Sequence, residues 1–325
     1  MTNNYKKLDE MKEIKYDVAL DLVKKEIEHI LSKSPLIIRE YTKHLLTSQG
    51  KYIRAISVLI SAEDKEGFVH PNAIKVAAAI EILHLATLVH DDIMDNADIR
   101  RGNATLQKKY GKRTAVICGD YLLCASLNLV ASIQNRENYL NLDMPDYMGK
   151  VCLGELNQHI NNYNYNLSFY QYLKIISGKT AALFEASFYA GAIFSGCSDI
   201  EAIKYKQLGF NIGMIFQLSD DCIDFEDTVE MANKPVQSDF EQGVITLPLL
   251  HAFSKITELK TKASNNVLSR KEINEAVTKT GGLSFTHMVI KKYYNKSMKI
   301  VDELDILESK KARIITVLNK ASRLS

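Results

Sequence analysis

Between Asn72 and Arg101 the chain contains neither glycine nor proline. Within that stretch runs VAAAIEILHLATLV, which is apolar on nearly every side of a helix with 3.6 residues per turn. A helix without a polar stripe must be enclosed by other elements, so the pattern predicts a central, buried helix. The rest of the chain points the same way. Only 20 of its 325 residues are glycine or proline, about 6% against roughly 12% in average usage. So few breakers exclude a many-turned sandwich or barrel and predict long helices.

Helical spacing predicts an amphipathic helix over 17–34, stopped by Ser34-Pro35, and a second from there to Leu46. An apolar segment over 53–62, a loop over 63–71 and a helix over 113–133 follow, then a polar loop over 135–147. Further helices are expected at 147–163, 168–196, 199–232 and 246–256, short helices in 258–281, and a basic amphipathic stretch over 285–324. Strand signals are negligible, and no repeat or linker interrupts the pattern. Length alone suggests about two domains. The continuity of the helical pattern instead predicts one all-α domain over 1–325.

A net charge of +2 excludes a strongly basic nucleic-acid binder, so no nucleic-acid partner is expected. The five cysteines are odd in number and form no CxxC, which predicts buried reduced thiols in a cytoplasmic protein. The charged N-terminus shows no signal-peptide pattern, and no run approaches the ~18 consecutive apolar residues of a membrane span. The basic C-terminal helix, with Lys310, Lys311, Arg313, Lys320 and Arg323, reads as a solvated face that allows at most peripheral membrane contact.

The buried helix ends in His90-Asp91-Asp92-Ile93-Met94-Asp95. Asp91 and Asp95 lie about 40° apart around a helix and share one face. Two unit charges about 4 Å apart interact by about 4 kcal/mol at an effective dielectric of 20. Such a cluster either raises its own pKa values or recruits cations. The DDxxD spacing returns at Asp220-Asp221-Cys222-Ile223-Asp224, again after an apolar stretch, GMIFQLS. Oxygen donors without a flanking His or Cys pair select a hard cation, and Mg²⁺ fills its octahedron with water and phosphate oxygens. The implied ligand is a polyphosphate. Arg100, Arg101, Lys51, Arg54, Lys179 and Lys234 supply cations near these motifs, and no GxxxxGK[ST] pattern offers a nucleotide cradle.

In this order the motifs resemble the trans-prenyltransferases, the polyprenyl (isoprenyl) diphosphate synthase family. They are Gly50-Lys51-x-x-Arg54, His84 with the first DDxxD, Arg100-Arg101-Gly102, Gly119-Asp120, Gly154-Glu155, Gly178-Lys179-Thr180, Gln217 with the second DDxxD, Lys234-Pro235 and Gly243-x-x-Thr246-Leu247-Pro248. The resemblance implies the type I isoprenoid synthase fold, a helical bundle around a central cavity with the two aspartate-rich helices facing each other at its mouth. It implies Mg²⁺-dependent, head-to-tail condensation of isopentenyl diphosphate with an allylic diphosphate, with about three Mg²⁺ per site. Asp91, Asp92, Asp95, Asp220, Asp221 and Asp224 match the metal positions. Arg100, Lys179 and Lys234 match the allylic diphosphate site, and Lys51, Arg54, His84 and Arg101 the isopentenyl diphosphate site. Thr180 and Gln217 match positions flanking the reacting carbons and, with Lys179, are the catalytic candidates. A homodimer is implied, and a small regulatory subunit is compatible. Tyr52 and Ala55 depart from the family's GGKRxRP pattern. Val244 and Ile245 stand where a lysine is common.

Upstream of Asp91, family members set product length. Ala86 and Thr87 are small there, which predicts a tail that passes Ala86 and reaches at least the next turn, near Leu83 or Ile82, and a product of geranylgeranyl length or longer. The alternatives are a class I terpene cyclase on the same fold, or a non-catalytic or partner-dependent subunit of a heteromeric synthase.

Overall fold

The computed structural model describes residues 14–46, 50–133, 146–226 and 238–323. They are almost entirely helical, as the scarcity of breakers predicts. The chain forms two compact units: Met1–Met144 with Ser187–Tyr205 and Ile306–Lys310, and Pro145–Ala186 with Lys206–Asp305 and Lys311–Ser325.

In the first unit a two-residue strand β1 (Ile14–Lys15) precedes α1 (Tyr16–Ser32), α2 (Leu36–Leu46) and α3 (Ile53–Ala62). Strand β2 (Phe68–Val69) pairs antiparallel with β1, Ile14 opposite Val69, inside the segment expected to be a plain loop. The long helix α4 (Pro71–Met94) follows. His70 caps it through a side-chain bond from the Asn72 N–H, and Pro71 occupies the first turn, where its missing N–H costs nothing. Every residue from Pro71 to Ile80 is buried, and α4 packs on α1, α3 and α6 (Lys112–Ala131), as an all-round apolar helix must. Ser126 of α6 donates to the Ala79 carbonyl at 2.8 Å. Beyond α4 the chain turns into a ribbon of β3 (Ile99–Arg100) and β4 (Asn103–Ala104), Ile99 opposite Ala104, and then α5 (Leu106–Tyr110). The helices α4 and α6 are both long and apolar enough to cross a membrane, but the apolar stretch of α4 is mostly enclosed by its neighbours.

The second unit holds α7 (Tyr147–Ile160), α8 (Phe169–Ile176) and a π-helical turn, Ser177–Ala181. The expected helix over 168–196 is therefore α8, this wider turn and α9 (Ala182–Phe194). A long helix α10 (Asp199–Glu226) carries the second aspartate motif. The short α11 (Ser238–Glu241), α12 (Leu247–Lys255), α13 (Thr257–Ser264), α14 (Arg270–Thr280), α15 (Gly282–Asp302) and α16 (Glu308–Ser322) complete the chain. Reciprocal capping boxes start α8 (Ser168 with Gln171) and α14 (Ser269 with Glu272). The final basic stretch is two helices, because Glu303–Leu307 breaks it.

Two expectations need correction. Cys118 and Cys222 are buried, but Cys124 and Cys152 are exposed and Cys197 is half-buried; all five are free thiols. Lys310 does not face solvent. It is 3% exposed and donates to the carbonyls of Ser61 and Glu63 at the C-terminal end of α3, at 3.1 and 2.5 Å, with the Tyr205 ring beside it. A cation there meets the negative end of the helix dipole, though burial lowers the lysine's pKa to about 8. Lys310→Met would leave both carbonyls without this donor, and we expect a loss of about 2 kcal/mol in urea unfolding, with α3 as the element that frays first in hydrogen exchange.

Candidate functional site

The first motif sits at the C-terminal end of α4, with Asp95 as its cap residue. This end carries the negative pole of the helix dipole, so each carboxylate there is disfavoured by about 0.3–1 kcal/mol beyond mutual repulsion. The protein answers part of that charge itself. Arg100 on β3 donates from Nε to Asp92 Oδ1 at 2.6 Å. Asp92 is buried, which raises its pKa against the pull of Arg100.

Arg100 and Arg101 do not continue α4; they lie on the ribbon. Arg101 and Gly102 both take positive φ, 50° and 79°, in the two-residue turn joining β3 to β4. Such a turn matches the twist of the strands. Glycine enters it freely, whereas Arg101 does so at a cost of about 1–2 kcal/mol. The strain places Arg101 against Gly50, where an added Cβ would come within 3.0 Å of Arg101 Nη1. Tyr52, also left-handed with φ 52°, begins α3 and sets Arg54 on its first turn.

Arg54, Arg101 and His84 share one electrostatic neighbourhood with Glu81, an acid that sequence reasoning did not single out. Glu81 lies one turn before His84 on α4 and accepts the Ala55 N–H at 2.9 Å. Its one signal in the sequence is that it is the lone acid inside VAAAIEILHLATLV. Burial raises its pKa, while the Ala55 N–H and the two arginines lower it. Burial and the three nearby arginines hold the His84 imidazole well below its ordinary range, so it is neutral at pH 7. Burial also brings Arg54 down to about 10, still cationic. Lys51 is exposed at the entrance to this segment. His90 reaches across to α6, with Nε2 3.3 Å from Asp120 Oδ1. Gly119 leaves room for it, since a Cβ there would sit 2.3 Å from His90 Nε2. The Gly119-Asp120 pair thus fixes the helix end that carries Asp91. Ala86 is 2% exposed, Leu83 and Thr87 are half-buried, and Thr87 Oγ1 donates back to the His84 carbonyl at 2.8 Å.

In the second unit the π turn carries Gly178-Lys179-Thr180. Single π turns inside helices recur at functional sites because they re-aim side chains. Here the turn presses backbone to backbone on α7. A Cβ on Gly154 would fall 2.2 Å from the Lys179 nitrogen, and one on Gly178 2.9 Å from Gly154 Cα. On the other flank, a Cβ on Gly213 of α10 would meet Ala181 Cα at 2.5 Å. Lys179 Nζ pairs with Glu155, 3.0 Å from Oε2 and 3.1 Å from Oε1. Thr180 Oγ1 donates to Gln217 Oε1 at 2.6 Å, and Gln217 Nε2 donates to Asp221 Oδ1 at 2.8 Å. The Tyr172 hydroxyl donates to Asp221 Oδ2. Tyr172, too, was missed by sequence reasoning, since a tyrosine on α8 carries no motif. Burial pushes Asp221 up to about 8 despite these two donors. Asp220 is half exposed, 3.8 Å from Arg323, and Asp224 is half-buried. Ile245 is 3% exposed and packs where a lysine would have brought charge. Lys234 lies outside the described residues.

Among the described residues no three carboxylate, His or Cys side chains converge into a preformed metal cage. The donor set still fits Mg²⁺, which binds to one or two carboxylates and takes its remaining ligands from water and phosphate. It offers oxygen alone, on a helix end where negative charge lacks dipole compensation. The glycine contacts make the arrangement testable. Gly154→Ala would force α7 off the π turn and separate Lys179 from Glu155. We expect a destabilisation of about 2 kcal/mol or more, read as a lowered urea midpoint, together with at least a tenfold loss of turnover.

Residues 35–280 match the sequence model of the family described as polyprenyl synthetase. The heptaprenyl diphosphate synthase component 2 of Geobacillus stearothermophilus is 33% identical over 299 residues, 90% of this chain and 91% of that protein. The octaprenyl diphosphate synthase of Haemophilus influenzae is 29% identical over 304 residues, covering 92% and 91%. Among solved structures, the heptaprenyl diphosphate synthase of Staphylococcus aureus superposes with a TM-score of 0.85 at 31% identity, over 96% of this chain and 99% of that one. The family relationship supports a requirement for Mg²⁺ and bears out the all-α, type I isoprenoid synthase expectation. The chain belongs to the polyprenyl synthetase family, and it is a trans-prenyltransferase that condenses isopentenyl diphosphate with an allylic diphosphate.

Proposed function

We propose that the chain, acting as one domain over 1–325, makes a trans-polyprenyl diphosphate of geranylgeranyl length or longer. The observation that carries the length is the small, buried Ala86 five residues before Asp91, with Thr87 beside it and Leu83 one turn further back. No aromatic side chain stands there to stop a growing tail. The heptaprenyl and octaprenyl synthases among the relatives agree with a long product.

Asp91, Asp92, Asp95, Asp220, Asp221 and Asp224 are the residues that would hold about three Mg²⁺. Bound Mg²⁺ supplies Lewis-acid stabilisation of the charge that develops on the departing diphosphate. Arg100, Lys179 and Lys234 bind the allylic diphosphate and add fixed positive charge where the oxygen leaves. Lys51, Arg54 and Arg101 hold isopentenyl diphosphate. Neutral His84 adds a hydrogen bond without further charge. Glu81 positions Arg54 and Arg101 rather than touching substrate. Thr180 and Gln217, locked to each other and to Asp221, set polar oxygens beside the allylic carbons as the carbon–oxygen bond breaks. The isopentenyl double bond then attacks, and the departed diphosphate takes the proton that is lost. Apolar helix walls keep water from the cation.

We further propose a homodimer formed through α6, whose Val116, Ile117, Leu127 and Val130 are exposed. One specific observation favours a second reading. The Geobacillus relative is named as one component of a synthase, so long products here would need a small partner subunit. A terpene cyclase does not need the Lys51, Arg54 and His84 set.

Purified chain with Mg²⁺, labelled isopentenyl diphosphate and farnesyl diphosphate should yield prenols of twenty carbons or more after phosphatase treatment. Ala86→Phe and Thr87→Phe should each shorten the product. Unchanged length in folded variants would place the wall elsewhere. Extension only after a partner subunit is added would select the second reading.

A further inference from the structure

Away from every residue assigned to the reaction, α8 and α15 enclose a groove of about 430 Å³. Its walls are Phe169, Leu173, Phe285, Val289 and Tyr293, and its rim is Lys292, Lys296 and Lys299. No carboxylate lines it. Among the described residues none of these lysines forms an ion pair. Lys296 instead lies over the Tyr293 ring, 5.4 Å from its centroid. All three lysines are exposed. The neighbouring α8 face adds exposed Lys174 one turn from Tyr170, which is 75% exposed, and Phe169 itself is 41% exposed.

Exposed aromatic rings beside an apolar slot and unpaired lysines form a surface with one apolar layer and one cationic layer. That layering matches the acyl-to-phosphate boundary of a bilayer, where aromatic side chains settle at headgroup depth and lysines meet anionic lipid. Lysine, a flexible point charge, suits phosphates whose positions vary. An acidic protein partner would account for the lysines but leave the slot and the outward rings without a role.

We propose that the α8–α15 groove docks the protein on an anionic lipid surface, with Phe169 and Tyr170 at the interface and Lys174, Lys292, Lys296 and Lys299 against lipid phosphates. This surface is distinct from the C-terminal basic helix, and the proposal does not depend on product length.

The test is co-sedimentation of the full chain with phosphatidylcholine vesicles, with and without 30% phosphatidylglycerol. We expect partitioning onto the anionic vesicles alone, weakened by salt. Each lysine near the surface is worth about fivefold in partitioning, so Lys292→Gln/Lys296→Gln/Lys299→Gln together should cost on the order of 100-fold. Tyr170→Ser should weaken binding several-fold at unchanged charge. The paired control Arg313→Gln/Lys320→Gln on α16 should bind as the parent does. All variants should keep the parent's helical circular dichroism and its turnover in detergent-free solution. Absence of binding to anionic vesicles, or equal loss from the α15 and α16 variants, would overturn the proposal. Capture of an acidic polypeptide without vesicle binding would do the same.

Discussion

A cluster of carboxylates at the negative end of a buried apolar helix sets the electrostatics of this site. Asp91, Asp92 and Asp95 repel one another, oppose the α4 dipole, and terminate a helix whose first ten residues are all buried. The structure offsets part of the cost locally, by setting Arg100 on Asp92. Preorganised charge of this kind acts on a substrate without further reorganisation at the moment of reaction.

The cationic half is positioned by backbone geometry more than by side-chain packing. Arg101 occupies a left-handed turn position that glycine would fill without strain, and Gly50 gives it room. Lys179 rides on a π turn that exists in contact with α7 only because residues 154 and 178 lack a Cβ. Strained or close-approach backbone thus fixes both cations, while Glu81 and Glu155 hold Arg54, Arg101 and Lys179 as counter-charges within the folded chain.

Much of this was legible in the sequence. The absence of breakers from Asn72 to Arg101 showed α4, and the repeated DDxxD spacing, each time after an apolar stretch, showed both acidic ends. Four features were not legible, each for a physical reason. The ribbon at Ile99–Ala104 is set by two positive φ angles, and arginine gives no local sign of adopting one. The π turn depends on contacts made by Gly154 and Gly213, distant in sequence from Ser177–Ala181. Glu81 and Tyr172 act through burial beside Arg54 and Asp221, and burial of a single polar side chain on an apolar helix has no periodic signature. Lys310 reads as one charge among several on a basic helix until the C-terminal carbonyls of α3 are seen beneath it.

That the carboxylates of the first motif are held at a cost to the free protein, which ligand binding recovers, is testable in solution. The direct measurement is the melting temperature of the parent and of Asp91→Asn/Asp95→Asn, each with and without Mg²⁺ plus inorganic diphosphate. The variant should melt higher than the parent when both are free, because repulsion and dipole opposition are relieved, and should lose most of the rise that Mg²⁺ and diphosphate give the parent. A variant that melts lower when free and still gains the full rise would show that these carboxylates carry no such cost.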